Sequence, residues 1–234
     1  MRFLIILSAL MLGAETIAQA RETLEEAAAF ARQLVNSVSI GNMATVYPAD
    51  HASLAGEPFS LQEYYARHVI IESIPRSTAY TGSDLTATIR SCHVNGSLTL
   101  LFLPISRHSQ NVLLSPTHAA SVSVWSDRPA ASRPRVSLIG NVTVFPVLEE
   151  TPDREAIQAC YVAQHPDARW WLPGPREPHI AYWARFDPHS VYYVGGFGSE
   201  HFIGNIPLEM YQNASFPDHA TEVGVGGRVL VTQD

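Results

Sequence analysis

Ala119 to Trp125 sets Val122 and Val124 against Ser121 and Ser123, and Arg135 to Phe145 repeats the same two-residue period. Such alternation is what a strand with one buried face requires, because successive side chains point to opposite faces. Three further segments share the strand character. Ser97 to Ile105 carries a nearly continuous apolar run through Leu98, Leu100, Leu101, Phe102 and Leu103, and His179 to Phe186 and Ser190 to Gly196 read as two strands linked by Asp187-Pro188-His189. Nearer the start, Met43 to Tyr47 reads as a short strand ended by Pro48, and Pro58 to Tyr65 as another.

Only two helical patterns interrupt this series. Arg21 to Asn36 puts Leu24, Ala28, Ala31, Leu34 and Val35 on one face, with Glu22, Glu25, Glu26 and Arg32 elsewhere; Ser39-Ile40-Gly41-Asn42 then breaks it. Asp153 to His165 has Asp153 as its N-cap, Ile157, Cys160 and Tyr161 on one face, and Pro166 as its stop. Runs of strands with a helix at the start and another in the middle point to an α+β fold or a barrel with helical cover.

Three stretches stand apart from this pattern of strands and helices. Met1-Arg2, the apolar run Phe3 to Leu12 and the small-x-small motif Ala18-Gln19-Ala20 read as a secretory signal peptide over residues 1–20. Its apolar core is too short to span a bilayer, which needs roughly twenty residues. Arg67 to Ser91 is rich in Ser, Thr and Ile without a clear period, and reads as a loop inserted between two strands. Residues 215–234 read as a C-terminal tail or one short added strand. The domain itself is expected to span residues 21–214.

Three sequons fit a secretory route: Asn95-Gly96-Ser97, Asn141-Val142-Thr143 and Asn213-Ala214-Ser215. Asn141 lies within an expected strand, so it must face solvent to be modified. Cys92 and Cys160 are the only cysteines. An oxidising compartment permits a bridge between them, but spacing leaves both a bridge and two separate thiols open.

Composition removes several function classes. The net charge is −7 and all fifteen basic residues are Arg, with no Lys anywhere. A nucleic-acid surface needs a basic patch to neutralise phosphates, and none is visible. Schiff-base chemistry and a phosphate-loop Lys are excluded outright. There is no Gly-x-Ser-x-Gly elbow, His-Glu-x-x-His or Cys-x-x-Cys, and the ten histidines are scattered rather than spaced as metal ligands. The expectation is no catalytic constellation and no metal. Trp170-Trp171-Leu172-Pro173-Gly174-Pro175 reads as an apolar plug packed over the barrel.

Two loops concentrate the remaining chemistry. Pro104 to Asn111 leaves a strong strand and gathers hydroxyls, a guanidinium, an imidazole and an amide, the groups that hold a phosphate; the same composition also suits a polar turn that caps a following helix. Gly195-Gly196-Phe197-Gly198-Ser199-Glu200-His201 has the glycines that permit close backbone approach to a ligand.

The order of these segments resembles the flavin-binding split β-barrel superfamily of pyridoxamine 5'-phosphate oxidase, and within it the secreted CREG glycoproteins. The residues that carry the likeness are Gly41 to Thr45, Gly56 to Ser60, Ile105 to Asn111, Ala119 to Trp125, Arg135 to Gly140, His165-Pro166 and Val191 to Gly198. The resemblance implies an α+β, mostly antiparallel split barrel with flanking helices, assembled as a homodimer. In flavin-binding relatives FMN lies at the dimer interface. Ser106, His108, Ser109 and Asn111 fall where such relatives place phosphate-side contacts, and Arg135 opens the strand that commonly adds a basic residue. With no Lys, only Arg107 or Arg135 can supply positive charge to that phosphate.

CREG proteins resemble the flavin fold without binding flavin, and act as secreted or endolysosomal glycoproteins through partners. The Gly195 to Gly198 run looks more like flavin- and haem-handling barrels. The reading favoured here is a secreted, dimeric, CREG-like glycoprotein with no cofactor, acting through a protein partner or receptor. The competing reading is an FMN-dependent oxidoreductase, in which the flavin would carry the redox chemistry. Haem ligation by His108 or His201 is a more distant third.

Overall fold

The computed structural model describes residues 21–67, 92–174 and 180–214. The expected signal peptide, almost all of the expected insertion, residues 175–179 and the C-terminal tail lie outside them.

Helix α1 (Leu24–Ser37) begins where Thr23 caps it. The Thr23 hydroxyl accepts from the Glu26 amide at 3.2 Å and the Glu26 carboxylate accepts from the Thr23 amide at 2.8 Å, satisfying two donors that a helix start leaves free. The chain continues as β1 (Ile40–Val46), β2 (Pro58–Tyr64), β3 (Leu98–Phe102), α2 (Arg107–Leu114), β4 (Ala119–Trp125), β5 (Arg135–Phe145), α3 (Arg154–Gln164), β6 (Tyr182–Val194), β7 (Ile203–Ile206) and α4 (Leu208–Asn213).

Every pairing is antiparallel, in the order β2-β1-β4-β5-β6-β3, with β7 added to β6. The two edges meet at a single bridge. Ala66, just past β2, donates to the Thr99 carbonyl at 2.9 Å and accepts from the Thr99 amide at 2.8 Å. The sheet is thus a barrel closed at one point and open along the rest of β2 and β3, which is the expected α+β split barrel.

Two apolar clusters fill it. Ala27, Ala28, Ala31 and Val35 of α1 pack on the inward residues Met43, Val122, Leu138, Val191 and Tyr193. On the other side Ile157, Cys160 and Tyr161 of α3 meet Leu101 and Trp183. Cys92 and Cys160 form a disulfide with Cα atoms 5.5 Å apart, which settles the question their spacing left open. The Gln164 side chain receives the Arg67 amide and guanidinium and donates back to the Arg67 carbonyl at 2.9 Å. Both ends of the segment 68–91 are therefore tied to α3.

Several expectations are corrected. Residues 182–194 form one strand, not two. A bulge at Ile139/Gly140 shifts the register between β5 and β6. On its other side β6 pairs with β3 up to Phe186 and with β7 from Val191, so Pro188, which lacks an N–H, falls in the gap between them. Strand β1 starts at Ile40, where a helix break was expected. Asp153 precedes α3 with φ 47° and makes no side-chain cap, the left-handed conformation being one that Asp tolerates. Of the tryptophan plug, Trp171 and Leu172 pack on the second cluster while Trp170 stays exposed.

Candidate functional site

Helix α2 is the cap the Pro104–Asn111 loop could have been. Ser106 is its N-cap and its hydroxyl accepts from the Ser109 amide at 3.5 Å. The helical period then turns His108, Ser109, Asn111 and Val112 toward β1, and all four are buried. Thr45 of β1 is the hub that His108 and Asn111 meet. Its hydroxyl lies 3.1 Å from His108 Nδ1 and accepts from Asn111 Nδ2 at 3.0 Å. Burial pushes the His108 imidazole below the ordinary histidine value, with the Leu61 backbone partly opposing the shift. His108 also packs on Phe59, ring centroids 4.9 Å apart, and Arg107 lies over the Tyr47 ring at 5.2 Å.

Ser109 Oγ, Asn111 Oδ1 and His108 Nε2 have no well-formed hydrogen bond among the described residues, yet each is sealed from the surface. A flavin phosphate needs accessible donors and a free cation. Here the Ser106 hydroxyl is committed to the cap and His108, Ser109 and Asn111 are turned to the interior, so Arg107, over the Tyr47 ring, is left without the accessible neutral donors that would complete a phosphate site. These residues do not fit an FMN phosphate as they stand. Arg135 does not join them within one protomer. It pairs with Trp125, whereas the α2 contact lies by Ala44 and its partner Ser121, so the two sites stand roughly 13 Å apart along β4.

The glycine loop also finds its close contact within the protein. Glu22, which the helical pattern assigned to a solvent face, lies before α1 with its side chain only 6% exposed. It accepts from the Phe202 amide at 2.9 Å and the Tyr193 hydroxyl at 3.3 Å, and lies 3.2 Å from His201 Nδ1. A Cβ on Gly195 would run into the Glu22 carboxylate and one on Gly196 into the His201 ring. The glycines admit those two side chains.

Sequence reasoning missed Thr45, Tyr47, Phe59 and Glu22. No local signal marks them, since each acquires its role from a partner distant in the chain. Asn95, Asn141 and Asn213 are all exposed, so Asn141 meets its condition of facing solvent; its amide donates to the Thr117 carbonyl at 2.7 Å. Among the described residues no three His, Cys, Asp or Glu side chains gather as metal ligands, and no helix is long and apolar enough to cross a membrane.

The sequence profile described as "CREG, beta-barrel" matches residues 22–213. No curated protein sequence matches the chain. Among solved structures, a haem-binding protein from Mycobacterium smegmatis superposes with a TM-score of 0.57 at 17% identity, over 84% of this chain and 63% of its own. A protein of unknown function from Agrobacterium tumefaciens superposes with a TM-score of 0.51 at 18% identity, over 74% and 57%. The chain spans less than two thirds of either. At such identities the likeness is one of fold, and function has to be argued from the residues.

Proposed function

The chain belongs to the CREG β-barrel family, and from that premise we propose that it is a secreted glycoprotein, working as a homodimer through a protein partner and carrying no catalytic site of its own. The observation that carries this reading is the inward turn of His108 and Asn111 onto Thr45, with Ser109 buried beside them. Residues that would face a cofactor phosphate are spent on holding α2 against β1. Along α2 and the neighbouring β2, Leu61, Ile105 and Leu114 are each more than half exposed. Exposed apolar side chains grouped in this way favour a protein surface over an anion.

The outward face of the sheet supports self-association. Gln62, Asn42, Ser123, Ser137, Tyr192 and Asn205 stand side by side in one row across six strands, none of them charged. The neighbouring row runs through Ser60, Ala44, Ser121, Ile139 and Ser190, again without charge. A two-fold interface sets a patch against itself, so an uncharged patch pays no like-charge penalty. Secretion is supported by the leader pattern, three exposed sequon asparagines and the disulfide, which persists in oxidising compartments.

The test is to secrete the protein from a eukaryotic host and follow mass and visible absorbance through size-exclusion chromatography, with and without added FMN. We expect a glycosylated dimer that elutes colourless after FMN is added, and a monomer with unchanged circular dichroism for Ile139→Arg. A flavin band co-eluting with the protein would replace this reading by the FMN-dependent oxidoreductase.

A further inference from the structure

A cavity of about 370 Å³ lies between the exposed side of α1, the chain leading into β5 and the glycine loop after β6. Its walls are largely apolar. Phe30 and Leu34 come from α1 and Pro134 from the approach to β5, while the buried Gly195 closes the floor beneath Glu22 and His201. The Phe30 ring is 44% exposed where it borders this space. A cavity of this size and character suits a small organic ligand.

The polar groups on its wall decide the sign of the ligand. Glu22 is the one acid there, and its oxygens already face the Tyr193 hydroxyl, the Phe202 amide and the His201 ring. Arg133 is the one guanidinium, and it has no carboxylate within ion-pair distance among the described residues. Glu22 is thus already surrounded by donors, and Arg133 is the charged group on the wall left to pair with a ligand. The fixed imidazole of His201, held through Nδ1, adds a second polar group beside it.

We propose that this cavity is a binding site for a small aromatic monocarboxylate, its ring against Phe30, Leu34 and Pro134 and its carboxylate paired with Arg133. None of its lining residues belongs to α2 or to the two uncharged rows, so the site stands whether or not the partner-binding reading does. Arg133 makes a planar two-donor fork that matches a carboxylate, and the apolar walls exclude water from the ring.

The test is fluorescence titration of the secreted protein with 2-naphthoate, alongside the neutral 2-naphthamide. Saturable binding of 2-naphthoate is expected, weakened about tenfold or more by Arg133→Gln through loss of a charge-assisted contact, and about fivefold by Phe30→Ala through lost apolar cover. Both residues are on the surface, so both variants should fold. Arg169→Gln, a surface guanidinium that lies over the Trp170 ring and outside the cavity, should leave the affinity unchanged. Absence of saturable binding up to about 1 mM, equal affinity for 2-naphthamide, or wild-type affinity in both Arg133→Gln and Phe30→Ala would each overturn the proposal.

Discussion

The Glu22 carboxylate accepts a hydrogen bond from the Phe202 backbone amide at 2.9 Å, tying together residues 180 positions apart in the chain. The first ordered turn is thereby fastened to the loop that follows the longest strand. The carboxylate also faces Tyr193 and His201, and burial together with Glu22 raises the Tyr193 phenol above its ordinary range.

Glu22→Ala should therefore behave as a core lesion despite its place near the start of the domain. It strips a buried acceptor from three polar groups, a loss of about 2–3 kcal/mol. For a domain of this size that lowers the melting temperature by roughly 5–10 °C. Glu22→Gln keeps one acceptor and should lose less. Calorimetry on the two variants checks the order, and a melting temperature for Glu22→Ala within a degree or so of wild type would show that the contact contributes nothing.

Gly140→Ala should be at least as damaging. A Cβ at this position meets the backbone carbonyl of Asp187 and the Pro188 Cα, and backbone cannot swing aside as a side chain can. The β5–β6 bulge would have to open, at a cost of about 3 kcal/mol. Ser137→Ala, on the same strand but facing outward, serves as the comparison and should be nearly neutral. A shared urea midpoint for the two variants would count against the bulge as the reason for glycine.

What could be read from the sequence follows from how local each signal is. Strands β4 and β5 match their alternating segments residue for residue, because one face of each is buried along its whole length. The break expected at Asp187-Pro188-His189 fails because Pro188 falls where β6 has no partner on one side, and nothing local shows that the neighbouring strands leave a gap there. Strand β7, with four residues, and helix α4, with six, are too short to display a period. The candidate site was the least legible. His108, Ser109 and Asn111 read as surface chemistry because polar side chains usually are; only Thr45, more than sixty residues earlier, gives His108 and Asn111 a reason to point inward.

The Cys92–Cys160 bridge offers a third prediction. It closes a loop with a sequence separation of 68, and in the chain-entropy account such a crosslink contributes about 4 kcal/mol by restricting the unfolded chain. The double variant Cys92→Ala, Cys160→Ala should shift the urea midpoint downward by that order, and reductant should have no further effect on it. Because the ends of residues 68–91 are both fastened to α3, exchanging that segment for a short Gly-Ser linker should retain the fold. Failure of the linker variant to fold would mean that the segment contributes core surface.

Stability against pH rests on two opposed sets of buried groups. Burial pushes His93 down to about 4, and lowers His108 and His165 in the same direction. In the unfolded chain each takes up a proton near 6.5, so the unfolded state binds more protons below that point and stability falls as pH drops from about 6.5 toward about 4. Glu63 acts the other way. Burial pushes its carboxyl up to about 7 from 4.5, so the folded state holds the extra proton in that window and stability falls as pH rises through it. Three histidines outweigh one carboxyl, and the net expectation is a lower urea midpoint at about pH 5 than at about pH 7. His93→Gln should flatten that decline, whereas Glu63→Gln, by removing the compensating group, should steepen it. Midpoints that stay level from about pH 7 to about pH 5 in the wild type, and are unmoved by either substitution, would show that these burials do not govern the acid response.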